Sequence, residues 1–196
     1  MAEVDVVDRL AEARIGATFN QYAASERCRV RLSHYLQARA GAAIVLVGEA
    51  AGYRGARVSG IAFTSERQLT GSGPAEATAT IVHRVLEQLG VEEDVLLWNV
   101  VPTHPGTSTS NRRPTRPEVD AGRPFLAEVV RGRSAIAVGR LAAGVLEGAP
   151  YVRHPSHGGA QRFADGLRRV LGSELAGSAF RYNPPPADVR VRPFSV

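Results

Sequence analysis

The chain has 196 residues, 44 % of them hydrophobic and 22 % charged, enough to bury the core of one globular domain. Its net charge is +5 and all 24 of its Lys+Arg residues are arginine, which favours anionic partners, nucleic acid first, and leaves no lysine amine for Schiff-base chemistry. A single cysteine, Cys28, excludes an internal disulfide, a four-cysteine zinc site and an iron-sulfur cluster; no apolar run or N-terminal leader pattern points to a membrane or to secretion, so a cytoplasmic protein is expected.

Val4, Val7, Leu10, Ala11 and Ile15 recur at helical spacing and a second stretch runs from about Tyr22 to Ala38, so residues 3–39 are predicted as two helices packed on a sheet. Arg27, Arg29 and Arg31 read as the solvated face of the second. Ile44-Val45-Leu46-Val47 has the length and β-branching of a buried parallel strand, and it delivers a long loop shaped by Gly48, Gly52, Gly55 and Gly60. Gly71-Ser72-Gly73-Pro74 is a turn leading to a helix over roughly 75–89, stopped by Gly90. Val95 to Trp98 is the second strand; it ends at Asn99 and feeds a polar loop, Gly106 to Pro117, that contains Arg112, Arg113 and Arg116. A helix over about 118–131 precedes the third strand, Ser134 to Val138, which Gly139 stops before a short helix, Arg140 to Leu146. Tyr151-Val152-Arg153 is the last strand, releasing His154-Pro155-Ser156-His157-Gly158-Gly159 before a helix of about 160–171. From 173 onward the chain, with Pro184-Pro185-Pro186, reads as an extended tail.

Strand alternating with helix four times predicts an α/β fold, a three-layer α/β/α sandwich around a mainly parallel four-stranded sheet, in one domain over 1–196 with its core at about 40–172. Such sheets place their sites at the carboxyl ends of the strands. Those ends offer Gly48-Glu49, Asn99, Gly139-Arg140 and His154-Pro155-Ser156.

Across roughly residues 44–165 this pattern resembles the uracil-DNA glycosylase superfamily. Gly48-Glu49-Ala50-Ala51-Gly52 is similar to its Gly-Glu-Ala-Pro-Gly form of motif A, Phe63 stands where a phenylalanine stacks on the extruded base, Asn99 matches the asparagine that reads uracil, and His154-Pro155-Ser156 matches the start of the loop inserted beside the lesion. The resemblance implies a monofunctional DNA repair glycosylase that hydrolyses the N-glycosidic bond of uracil in DNA and releases free uracil without cofactor or metal. It is expected to act as a monomer.

The residue types suit that chemistry. A base inside a duplex must be flipped out before its bond to the sugar can be cut, and Phe63 can replace the stacking lost; beneath a loop a phenylalanine is equally at home as core. The amide of Asn99 can accept from uracil N3–H and donate to O4, whereas cytosine presents the reverse pattern. A neutral His154 can donate a hydrogen bond to the charge that develops on the leaving base, with His157 on the same loop as its rival. Glu49 is the candidate for orienting water or the sugar, and Glu66 a second. Ala50 and Tyr53 fall at the base pocket. Gly139, Arg140, Ser156, Gly158, Arg112 and Arg113 are the candidate DNA contacts, holding phosphates without reading sequence, and Gln161 or Arg162 is the candidate plug.

The resemblance departs in three places. The aspartate that positions water in the best-known branch is replaced by Ala50, the tyrosine that excludes thymine's methyl group by Gly52 with Tyr53 adjacent, and the cysteines of the cluster-bearing relatives are missing. Two other readings therefore stand beside uracil hydrolysis: a damaged-DNA or abasic-site binding protein with little turnover, and a glycosylase for another deaminated base. A nucleotide-binding α/β domain fits less well, because Gly48 to Gly52 has the wrong glycine spacing and no Gly-Lys-Ser/Thr occurs.

Overall fold

The computed structural model describes residues 2–177. Three helices lead in, α1 (Ala2–Glu12), α2 (Gln21–Ala24) and α3 (Glu26–Ala38). The single helix expected over 22–38 is broken at Ser25, whose backbone is extended (φ −143°, ψ 112°) and whose Oγ accepts from the Cys28 N–H as the N-cap of α3. Asn20 caps α2 in the same way, its Oδ1 accepting from the Tyr22 and Ala23 N–H groups.

Strand β1 (Ile44–Ala50) is followed by two short helices inside the long loop, α4 (Ala56–Ser59) and α5 (Glu66–Thr70), and then by α6 (Ala77–Leu89). A 3-10 turn, Glu92–Asp94, enters β2 (Val95–Val101); α7 (Arg116–Val130), β3 (Ser134–Val138), α8 (Arg140–Val145), β4 (Tyr151–Val152) and α9 (Ala160–Gly177) complete the described residues. Helix α9 runs past the end predicted for it, so residues 173–177 are helical rather than extended. The rest of the predicted tail, with its three prolines, lies outside the described residues.

All four strands are parallel, in the order β2-β1-β3-β4. Ile44 pairs with Val95 on one side and Ser134 on the other, so β1 is the axis about which the chain changes direction. Alternate residues of each strand bury into different layers. Val45, Val47, Leu96, Trp98, Ala135 and Ala137 pack with α1, α3, α7 and α8, while Ile44, Leu46, Val95, Leu97, Ile136 and Val138 pack with α6 and α9. The sheet is thus covered on both faces, as parallel sheets require. Following the second set one step further along the strands reaches Gly48 on β1 and Asn99 on β2, which are register partners. The crevice outside the carboxyl end of β1, where the strand order reverses, is the site this topology creates.

The start of α7 is fixed by a carboxylate. Glu118 is 1 % exposed, accepts from the Thr115 N–H at 2.8 Å and forms a two-pronged bridge to Arg112, Oε2 to Nη1 at 2.7 Å and Oε1 to Nη2 at 2.5 Å. These donors, Arg112 first, hold its pKa at about 2, below the ordinary 4.5. Because the folded-state value is depressed, the stabilisation is present above pH 4.5 and is lost as pH falls toward 2; it amounts to about 3 kcal/mol. Urea unfolding of Glu118→Gln beside the wild type should show a large stability gap at pH 7 that closes in that acid window.

Candidate functional site

The carboxyl ends of β1, β3 and β4, with the loop after β2, enclose a crevice of about 550 Å³. That is the size of a small-ligand pocket. Its walls include Glu49, Ala50, Ala51 and Gly52 from the loop after β1, Asn111, Arg112 and Arg113 from the loop after β2, Gly139 and Arg140 at the start of α8, and Arg153, His154, Ser156 and His157 after β4. Of the expected site residues, Phe63 and Asn99 are not among these walls and are buried, 7 % and 4 % exposed.

Those two meet over Gly48. A Cβ at Gly48 would stand 2.6 Å from Asn99 Oδ1 and collide with the Phe63 ring, so only glycine lets the amide and the ring share this space. Asn99 points to the α6 side of the sheet because it continues the Val95, Leu97 alternation, and Phe63 belongs to the same apolar layer. Phe63 holds φ at +52°, in the left-handed region that bulky side chains rarely occupy. Phe63 is therefore both a core phenylalanine and a neighbour of the base-reading candidate.

His154 follows β4. The Ser156 N–H points at its Nδ1 from 3.2 Å and Ser156 Oγ lies 2.8 Å from the same nitrogen. A nitrogen that accepts a backbone N–H carries no proton, so the imidazole is the Nε2–H tautomer with its donor away from Ser156. Burial, then the charges of Arg153 and His157, push its pKa below 6.5 and keep it neutral. Gly139 (φ +91°) brings the turn into α8 against this ring, a Cβ there falling 3.3 Å from that of His154. His157, the rival, is exposed at the rim, and its Nδ1 lies 3.0 Å from Ser156 Oγ.

The two candidate carboxylates have different surroundings. Burial raises the pKa of Glu49, opposed only by the charge of Arg113, and among the described residues its side chain makes no hydrogen bond. Glu66 is committed elsewhere: Arg31 donates to its two oxygens at 2.7 and 3.0 Å, and Arg31 then lowers its pKa. It is held against α3 and leaves Glu49 as the carboxylate on the crevice. Arg112 lines the crevice with its charge already matched by Glu118, whereas Arg113 and Arg140 are exposed. Tyr53 and Gly158 do not line the crevice; the Tyr53 N–H donates to Asn111 Oδ1 at 2.9 Å and its ring lies under Arg54, 5.3 Å away. Gln161 and Arg162 lie on the first turn of α9, exposed, outside the crevice lining. Among the described residues no three His, Cys, Asp or Glu side chains gather as a metal site.

Three contributors were not singled out in the sequence. Arg153 sits on the crevice beside His154, with its Nε buried and, among the described residues, without a hydrogen-bond partner. Asn111 ties the two loops together through Tyr53, and its place in a polar, turn-rich segment was a signal for such a bond. His104, fully buried, has its two ring nitrogens 2.7 Å from the Ala51 and Thr107 carbonyl oxygens, fastening the loop after β1 to the arginine-bearing loop after β2.

A solved structure described as wild-type Pedobacter heparinus SMUG2 superposes with a TM-score of 0.63, covering 88 % of this chain and 98 % of that one at 12 % sequence identity, which establishes a shared fold. No curated protein matches the sequence. The family model described as the uracil DNA glycosylase superfamily matches residues 36–180, which take in the sheet, the Gly48–Gly52 loop, Asn99 and the His154 loop. With most of its length covered by that model, the chain belongs to the uracil DNA glycosylase superfamily, a family of DNA repair glycosidases.

Proposed function

We propose that this protein removes uracil from DNA by hydrolysing its N-glycosidic bond, leaving an abasic site and cutting no strand. The observation that carries the reading is the meeting of the Asn99 amide and the Phe63 ring over Gly48, beside a crevice that also holds a neutral imidazole and a desolvated carboxylate. The extruded base stacks on Phe63, and Asn99 accepts from N3–H while donating to O4. As the bond to the sugar breaks, its electron pair passes into the ring and negative charge gathers on the base oxygen; the Nε2–H of His154 donates to it. Glu49 is given the sugar side, where it holds the water whose oxygen bonds to C1′ as the base leaves and balances the electron-poor sugar; the proton that water gives up passes to solvent, which protonates the departing uracil anion. Arg113, Arg140 and Arg112, with the backbone at Gly139, Ser156 and Gly158, hold phosphates irrespective of sequence. The chain has no lysine, which leaves only the N-terminal amine for Schiff-base chemistry and argues against an associated lyase step.

The role given to Glu49 has a pH consequence. Its folded-state pKa is raised, and the ionised form orients water, so kcat/KM falls as pH drops through a value above the usual 4.5. Glu49→Gln should lower the rate about 100-fold and remove this limb, leaving only the one set by His154. An unchanged acid limb in that variant would assign the water to another group.

The proposal is tested with oligonucleotides carrying one uracil, thymine or hypoxanthine, followed by mass analysis of base and strand. Free uracil with an intact abasic strand, cleaved only by alkali, is the expected result. Preferential release of hypoxanthine would favour the reading of another deaminated base, and strand cleavage without alkali would contradict monofunctional hydrolysis.

A further inference from the structure

Outside the crevice one chain of polar side chains is not used by the chemistry above. Thr64 Oγ1 lies 3.0 Å from His83 Nε2, and His83 Nδ1 lies 2.5 Å from Glu92 Oε1. Hydroxyl, imidazole and carboxylate in that order make a nucleophilic triad elsewhere, but Thr64 is 2 % exposed and its hydroxyl also donates to the Ala62 carbonyl at 3.1 Å, so no substrate reaches it. The chain spans three separate pieces of sequence: His83 on α6, Glu92 on the turn into β2, and Thr64 immediately after Phe63.

Its end point is the strained residue. Phe63 is at φ +52°, and such a conformation persists in a bulky residue only where the surroundings over-determine it. On one side Ser59 does so: its Oγ accepts from the Ile61 N–H at 3.1 Å and donates to the Thr64 carbonyl at 2.7 Å. On the other side the side chain of Thr64 is held by His83, which Glu92 orients in turn. We propose that His83 is a positioning residue for base binding, acting with Glu92 through the Thr64 hydroxyl to hold Phe63 in the backbone conformation that lays its ring against Gly48 and Asn99. The inference rests on the reading of Phe63 as the stacking surface.

The test compares two affinities, for DNA carrying 2′-fluoroarabino-uridine, whose glycosidic bond resists cleavage, and for DNA carrying a tetrahydrofuran abasic analogue. Their ratio isolates what the base contributes. Phe63→Ala should reduce that preference about 10-fold or more, and His83→Ala by about 5- to 10-fold with the abasic-analogue affinity unchanged. His83→Gln, whose side-chain amide carries both a donor and an acceptor to meet the Thr64 hydroxyl in place of Nε2, should recover most of the loss. Thr64→Val should match His83→Ala and add nothing to it in the double variant, and Glu92→Gln, which keeps shape and removes charge, should give an intermediate loss. A preference in His83→Ala equal to wild type, or a glutamine variant no better than alanine, would overturn the positioning role while leaving Phe63 in place. An undiminished preference in Phe63→Ala, or none in the wild type, would instead overturn the stacking reading and this inference with it.

Discussion

Asn99→Asp is expected to slow uracil release by about 10²- to 10⁴-fold in single turnover while leaving affinity for abasic DNA intact. The amide offers one acceptor and one donor; the carboxylate keeps the acceptor, loses the donor that O4 requires, and places a negative charge beside a base that is itself becoming an anion. Burial sharpens the cost, because Asn99 is 4 % exposed and packs against Gly48 and the Phe63 ring, where water cannot screen the new charge. DNA binding should survive, since the arginines and backbone turns proposed to meet phosphates stand on other loops. A near-normal rate in this variant would mean that base identity is read elsewhere.

His154→Ala should cost about 10²- to 10³-fold in kcat with little change in KM, the size of effect seen when one donor to a developing oxyanion is removed. The reasoning is geometric before it is electrostatic. Ser156 occupies Nδ1 through its backbone N–H, so the ring's one proton is on Nε2, and burial with the neighbouring Arg153 and His157 charges disfavours a second. A hydrogen bond from a neutral imidazole strengthens as the base acquires charge and is weak in the ground state, which is why kcat rather than KM responds. Since the pKa is displaced downward, the active neutral form persists to a lower pH than an ordinary histidine would allow. His154→Asn, which retains an N–H donor without the ring, should recover part of the loss.

Much of this arrangement is readable in the sequence because it depends on short-range patterns. The runs at 44–47, 95–98 and 134–138 have the composition of strands buried on both faces, and each ends at a residue that its own alternation aims at one side of the sheet. Thr115-Arg116-Pro117-Glu118 carries the capping-box spacing that starts α7, two residues ahead of the predicted start, and the same glutamate takes up Arg112. What escapes a linear reading is set by partners far away in the chain. Glu66 reads as a free carboxylate until Arg31, 35 residues earlier, is found against it. His83 and His104 read as isolated histidines until Thr64 and Ala51, 19 and 53 residues away, are brought to them. The break at Ser25 was masked by good helix formers on both sides, and the left-handed backbone of Phe63 has no signature in residue type at all.

The measurement that bears most directly on the account is single-turnover release of free base from a duplex with one uracil, quantified by mass, using wild type, Asn99→Asp and His154→Ala side by side. The account predicts uracil appearing in step with abasic strand for the wild type and slowing by two orders of magnitude or more in both variants. No base release from wild-type protein that still binds uracil-containing or abasic DNA, weakening with salt, would contradict it. That outcome would identify the chain as a binder of damaged DNA and make Ala50, at the place where the best-known branch carries its water-positioning aspartate, the explanation to test.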